Sequence, residues 1–368
     1  MSETFATELI MLPYGYASRH RHSIFCIVPP HVLREIARHG NAAQRTAALD
    51  TLALDTTMRT QRMAFQLLAT SAPRPVLTAA APQVHRTIYT AKNTQTEPGT
   101  LVRAEGQGAS GDQEVDEAYA SLGSTFDFYL QNYQRNSVDD HGLPLVATVH
   151  YDKKFDNAFW DGHQMVFGDG DGVIFNRFTI SLDVIGHELT HGVTGSEANL
   201  LYSGQSGALN ESISDVFGSL VKQYALKQTT SEADWLIGAG LLTFKDQALR
   251  SMKAPGTAYD NNVLGKDSQP ADMQHYVGTA QDNGGVHINS GIPNRAFYLV
   301  ATALGGNAWV KAGQIWYDTV RDRNLKRTAT FAAFAGRTVA NAKRRYGTTS
   351  SEQKAVADAW NKVGVKPA

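Results

Sequence analysis

Residues 179–191 read Thr-Ile-Ser-Leu-Asp-Val-Ile-Gly-His-Glu-Leu-Thr-His, and this stretch decides how the chain is read. On a helix, His187 and His191 share one face about 5–6 Å apart at Cβ, so both imidazoles reach one ion. Leu182, Ile185 and Leu189 bury the opposite side. Glu188 lies too far round the helix to join the pair squarely and instead leans over the open coordination position, where it can take a proton from water. The chain has a single cysteine, Cys26, which rules out an internal disulfide and every cysteine-rich zinc framework. A metal must therefore rest mainly on histidine and carboxylate.

A catalytic zinc site takes three protein ligands and keeps one position open. The third ligand is expected at Glu211, in Ala208–Asp215 (ALNESISD), with 19 residues between His191 and Glu211. Asp215 follows one turn later on the same face and is placed to hold the far nitrogen of a ligating histidine. Asn210 is expected beside it in the same supporting role.

Working outward, the 368 residues allow two or three domains, and a formal net charge of -1 with no long basic run makes nucleic acid and anionic membrane poor partners. Residues 1–22 lack a basic start, an apolar core and a small-residue cleavage site, so a classical secretory signal is not expected. No apolar run approaches the ~20 residues of a membrane-spanning helix. The expected location is cytoplasmic as synthesised, with non-classical release open. In residues 27–40 (IVPPHVLREIARHG), Pro29-Pro30 precede a short helix with Val32, Leu33, Ile36 and Ala37 on one face and Gly40 as its stop. A second helix is expected from about residue 42 to 69, then a Pro/Ala linker at 71–83. Residues 85–91, 100–106, 143–151 and 164–170 read as strands, interrupted by a helix at about 112–133 whose apolar positions recur every three or four residues. After Ser181 the chain reads as mostly helical to its end. A β-rich half followed by an α-rich half predicts an α+β fold with a cleft between them.

These residues resemble the thermolysin family of metallopeptidases over most of 84–368. Further matches are Asn157–Trp160 (NAFW), the Leu-Leu-Tyr ending at Tyr202, Leu249–Met252 (LRSM) and Asp282–Ile292 (DNGGVHINSGI). The leader resembles the short, Pro-Pro-containing propeptide of the protealysin-like branch. The resemblance implies a thermolysin-like two-lobed fold divided as propeptide 1–70, linker 71–83, β-rich catalytic lobe 84–180, and zinc helix with helical lobe 181–368. It implies a neutral zinc endopeptidase made as a zymogen, with Glu188 as general base, His287 and Tyr202 donating to the oxyanion, and Asp282 orienting His287. Asn157, Ala158 and Arg250 are expected to hold the substrate backbone. Phe175, Phe178, Val184, Ile237 and Leu249 are expected to form an apolar primed-side pocket that favours cleavage before bulky hydrophobic residues. The family's double calcium cluster is matched at Asp183 and Asp234, but Lys222, Leu236 and Ala239 stand where other acidic ligands would be. At most one weak calcium is expected. Expected partners are peptide or protein substrates, the chain's own propeptide as intramolecular inhibitor, and a small protein inhibitor; the protein is expected to be monomeric.

Competing patterns are weaker. Gly106-x-Gly108-x-x-Gly111 fits a dinucleotide fingerprint but lacks the following βαβ unit, and reads as a loop. Gly168–Gly172 (GDGDG) lacks the rest of a calcium loop and reads as a turn. Cys26 is either a thiolate cap for the zinc or a small buried hydrophobe. A zinc aminopeptidase would place 18 residues before the distant glutamate and carry a Gly-x-Met-Glu-Asn motif, which is absent. A non-catalytic protein on the same scaffold would have lost a ligand or the base, and none is lost.

Overall fold

The computed structural model describes residues 25–68 and 82–368, for Phe25 and 58–68 the backbone alone. Most of the expected linker at 71–83, and the leader before Phe25, therefore lie outside the described residues. The described part begins with a two-residue strand, β1 (Phe25–Cys26), followed by helices α1 (Pro30–His39) and α2 (Ala42–Leu68). Pro30 opens α1, where a missing amide does no harm. Its buried face is Val32, Leu33 and Ile36. Asn41 caps α2 by accepting from the Gln44 amide at 3.1 Å, and Gln44 accepts back from the Asn41 amide at 2.8 Å, a reciprocal capping box.

The expected strands form β2 (Arg86–Thr94), β3 (Thr100–Ala104), β4 (Leu145–Tyr151) and β6 (Gln164–Phe167), with the short β5 (Ala158–Trp160) between the last two. They make one six-stranded sheet in the order β1-β5-β6-β4-β2-β3. The β2–β4 and β4–β6 pairings are parallel, while β5 runs antiparallel to β6. Helix α3 (Gln113–Tyr133) starts at Asp112, whose carboxylate accepts from the Val115 amide, and packs on β2 and β4. Successive side chains on a strand point to opposite faces. Accordingly Ala158 and Trp160 join the main core, whereas Phe159 joins a small cluster with Cys26, Ala91, Tyr151, Phe155 and Val166.

Beyond the sheet lie α4 (Leu182–Ser196) and α5 (Gly204–Ala225), the most extensively packed pair of elements. Their backbones approach so closely because Gly218 has no side chain: a Cβ there would lie 2.3 Å from the Asp183 carbonyl oxygen. This contact sets α5, and with it Glu211, against the histidine face of α4.

The region after α5 departs from the helical expectation. Residues 226–281 are mostly irregular, with two-stranded ribbons of β7 (Leu236–Ile237) with β8 (Arg250–Ser251) and of β9 (Asp260–Asn261) with β10 (Gly265–Lys266). The segment is rich in Gly, Pro, Asp and Asn, which favour turns over helix. Helices then resume as α6 (Asp282–Asn289), α7 (Gly291–Leu304), α8 (Ala312–Val320), α9 (Phe331–Tyr346) and α10 (Ser351–Lys362). Trp316 and Trp360 stack in their core at 6.1 Å. The result is the expected α+β arrangement. None of the helices among the described residues is long and apolar enough to cross a membrane.

Candidate metal centre and substrate cleft

Helical spacing on α4 brings the Nε2 atoms of His187 and His191 to 3.0 Å, and α5 supplies Glu211, whose oxygens lie 3.5 Å from each of them. In a tetrahedral zinc site with bonds near 2.0–2.1 Å, neighbouring ligand atoms sit about 3.3 Å apart, which is this spacing. All three side chains are buried, and Glu211 Oε2 has no hydrogen-bond partner. The donor set thus fits one zinc ion.

The far nitrogens are held as expected. His187 Nδ1 pairs with Asp215 Oδ1 at 2.8 Å, and His191 Nδ1 with Asn210 Oδ1 at 2.8 Å. With Nδ1 protonated and donating, each Nε2 would offer its lone pair to a zinc ion. Burial alone would raise the Asp215 pKa, but Arg250 and His187 outweigh it and bring it down to about 2. Asp215 also accepts from Arg250 Nε and Nη2 at 2.8 Å and from Asn294 Nδ2 at 2.8 Å. One carboxylate therefore orients both a metal ligand and the cleft arginine. Neither Asn294 nor Ser214, which reaches His191 Nδ1 at 3.0 Å, had any signal in the sequence; both are ordinary polar residues on helices.

Glu188 is buried on the cleft side. Its Oε2 accepts from the Trp160 amide at 3.2 Å, and Oε1 has no partner. Burial, reinforced by the negative charge of Glu211, pushes its pKa well above the carboxylate range against the pull of His187.

His287 is presented by an unusual backbone. Asp282, Asn283, Gly284 and Gly285 all have positive φ, a run that the glycine pair makes tolerable, and the chain then turns into helix. Asp282 Oδ1 binds His287 Nδ1 at 2.7 Å and Oδ2 accepts the His287 amide at 2.8 Å. His287 Nε2 thus points into the cleft, 3.2 Å from the Tyr202 hydroxyl, which also donates to Glu211.

The chain's own residues 26–28 lie in this cleft; the sequence pointed to an inhibitory leader but not to a backbone strand at these residues. β1 pairs antiparallel with the edge strand β5. The Ile27 amide donates to the Ala158 carbonyl at 3.1 Å and the Val28 amide to Asn157 Oδ1 at 3.0 Å. Arg250 Nη1 donates to the Ile27 carbonyl at 3.1 Å, and His287 Nε2 lies 3.2 Å from the Cys26 carbonyl. The only sequence signal was the apolar Phe25–Val28 ahead of Pro29-Pro30. Phe175, Phe178, Val184, Ile237 and Leu249 are all buried in the core that includes Ile27 and Val28. The Cys26 side chain belongs instead to the small apolar cluster on the Phe159 face.

At the calcium-like position, Lys222 Nζ reaches Asp183 Oδ2 at 2.7 Å, Asp234 at 2.9 Å and the Leu236 carbonyl at 2.8 Å. Burial lowers the lysine pKa, but the two aspartates outweigh it, so the ammonium stays charged. Gly106–Gly111 is a loop, as read from the sequence, and Gly168–Gly172 is irregular chain following β6.

A His-Glu-x-x-His helix, a glutamate from the neighbouring helix and a strand-edged peptide cleft define a zinc metalloendopeptidase. The chain belongs to the thermolysin family. The model of the thermolysin metallopeptidase catalytic domain matches residues 44–195, and that of its alpha-helical domain matches 198–365. The chain is 54% identical to an extracellular metalloprotease of Pectobacterium carotovorum subsp. carotovorum, over 93% of this chain and 97% of that one. It is 39% identical to a thermolysin of Bacillus caldolyticus, over 75% of this chain and 50% of that one. Among solved structures, the precursor of protealysin from Serratia proteamaculans aligns at a TM-score of 0.84 and 55% identity, covering 93% of this chain and 99% of that one.

Proposed function

We propose that the protein is a zymogen whose mature part hydrolyses peptide bonds on the amino side of bulky hydrophobic residues, and whose residues 26–28 block the cleft as a substrate mimic. The observation that carries this reading is the hydrogen bonding of Cys26, Ile27 and Val28 along β5. A peptide substrate's backbone would take the same partners, with the Ala158 carbonyl and Asn157 Oδ1 receiving its amides and the Arg250 and His287 side chains donating to its carbonyls. A zinc ion on His187, His191 and Glu211 would supply Lewis acidity to the scissile carbonyl and acidify the attacking water. Glu188 Oε1, free of any partner, takes that water's proton and returns it to the leaving amine. His287 and Tyr202 donate to the oxyanion, where loss of one donor typically costs about 100- to 1,000-fold in rate. Ile27 marks the residue carboxyl-terminal to the bond, and the apolar Phe175, Phe178, Val184, Ile237 and Leu249 support a hydrophobic preference there.

Lys222 supports a further reading, that an ammonium has replaced the cation of a calcium-binding relative, leaving at most one weak site. We also propose synthesis in the cytoplasm and work outside the cell after release, in line with the Pectobacterium relative, whose name calls it extracellular. Comparing culture supernatant with cell lysate tests that placement.

The decisive experiment is Glu188→Ala, assayed by metal content, mass spectrometry of the amino terminus and casein hydrolysis. It should retain one zinc per chain, stay unprocessed and lose nearly all turnover. Full activity in this variant would sink the mechanism. Removing residues 1–83 from wild type should raise activity, and an unchanged rate would refute the inhibitor reading.

A further inference from the structure

Where α2 docks on the sheet domain, the protein holds a buried carboxyl that the catalytic site does not use. Asp156 immediately precedes the Asn157 and Ala158 that grip residues 27 and 28. It is 0% exposed, and neither of its side-chain oxygens has a hydrogen-bond partner. Its backbone amide lies 3.4 Å from Thr51 Oγ1 on α2, so the docked helix forms part of its surroundings. An ionised carboxylate without donors is costly in such a place, whereas a protonated one is not.

We propose that Asp156 is a pH latch, a carboxyl that accepts the docked residues 26–57 in its protonated form, so that the cleft-filling segment loosens as the medium turns from neutral to mildly alkaline. The proposal rests on the reading that residues 26–28 occupy the substrate cleft. The charged groups around Asp156 reinforce it. Asp171, from the irregular stretch after β6, adds a negative charge that opposes ionisation. Lys154 and the Asp171 backbone pull the other way. On α2, Asp55 follows Thr51 one turn later on the same buried face.

Burial first, then Asp171, pushes the docked Asp156 up to about 8. Undocking opens its surroundings to water and returns it towards the ordinary carboxylate range. A group raised in the docked state favours docking below its free pKa, and that contribution is lost as pH rises through the docked one. His31 acts in the opposite sense. Burial lowers it to about 4, with Asp282 opposing and His287 and Arg250 adding, so its contribution is full above about pH 6.5 and lost on acidification. Above pH 6.5 the His31 contribution is complete, so it does not change across the window in which Asp156 titrates. From pH 6.5 to 8.5 the ionisation of Asp156 weakens docking by at most ~25-fold, and by about tenfold where some burial persists after undocking.

The test is hydrogen exchange by mass spectrometry on the full-length Glu188→Ala precursor between pH 6.5 and 8.5, corrected for intrinsic exchange rates. Protection of the Ile27 and Val28 amides should fall about tenfold. In the same background, Asp156→Asn should abolish that fall and stay protected throughout. Thr51→Lys, which places an ammonium beside the carboxylate, should also flatten it and guards against a misfolded first variant. A parent protein without a slope, or an equal slope in both variants, overturns the latch. Unprotected amides at every pH would instead refute the cleft-filling reading itself.

Discussion

Gly218→Ala is the sharpest test of how this fold builds its metal site. The added Cβ would meet the Asp183 carbonyl oxygen at 2.3 Å, the His187 amide nitrogen at 2.9 Å and the His187 Cβ at 3.2 Å. Carbon–oxygen contacts settle near 3.3 Å, so α4 and α5 must part by about 1 Å, because backbone cannot swing aside as a side chain can. Alanine gains about 1 kcal/mol in helix propensity over glycine, against an overpacking penalty of about 1–3 kcal/mol. With backbone on the far side of the clash, the upper end applies, for a net loss of about 2 kcal/mol. The functional loss should be larger, since Glu211 rides on α5 and the histidines on α4. A misplacement of about 1 Å in a catalytic constellation costs on the order of 100-fold. Stability should be read from thermal unfolding of the chelated precursor, metal affinity by competition with a chelator, and turnover on a peptide substrate. The expected pattern is a small stability loss, weaker zinc binding and a large fall in kcat. Wild-type zinc affinity and kcat in a folded Gly218→Ala protein would refute the claim that this glycine contact sets the ligand spacing.

Lys222→Met should destabilise the protein by about 3 kcal/mol, because it leaves the buried Asp183 without its cation; an unchanged melting temperature would show that the pair contributes nothing. Lys222→Glu should make the melting temperature rise with added calcium, while wild type stays indifferent; equal responses would count against lysine as a calcium substitute. His150 sits between Asp169 and Asp112 at 2.9 and 3.0 Å, and its bond to Asp169, partly offset by burial, raises its pKa to about 9. Such a raised group stabilises the fold fully below about 6.5 and loses its effect as pH rises through about 9. The melting-temperature gap between wild type and His150→Gln should therefore shrink across that window, and a constant gap would mean the ion pair is not responsible.

The metal site was legible because its determinants are local. Two histidines four apart on a helix must share a face, and Asp215 follows Glu211 by one turn. The α+β division was legible from the change of period near Ser181. What escaped was everything decided by long-range contact. β1 has only two residues, and it is a strand solely because β5 offers unpaired backbone groups on its edge. Gly218 looked like any helical glycine until α4 lay against it. Asp156, a single letter before Asn157, has no pattern to mark it, and its burial comes from elements distant in sequence.

The contacts that close the cleft also bear on how it opens. Those at Ile27 and Val28 engage only their backbone atoms, which meet the Ala158 carbonyl and the Asn157 and Arg250 side chains, so any extended peptide could compete for them. What favours the chain's own segment is the docking of α1 and α2 together with its tether. A second binding event on a linked chain sees an effective concentration in the mM range for a short flexible linker. Residues 69–85 join α2 to β2 covalently, so the cleft and the segment that fills it belong to one chain. A cut there would remove no contact seen in the cleft, yet it would turn an intramolecular inhibitor into one that dilutes away. Maturation is therefore expected to take two separable steps, cleavage and release. A nicked protein kept concentrated at pH 6.5 should remain inhibited and should gain activity on dilution. Full activity immediately after the cut, independent of concentration, would rule out the tether as the source of inhibition.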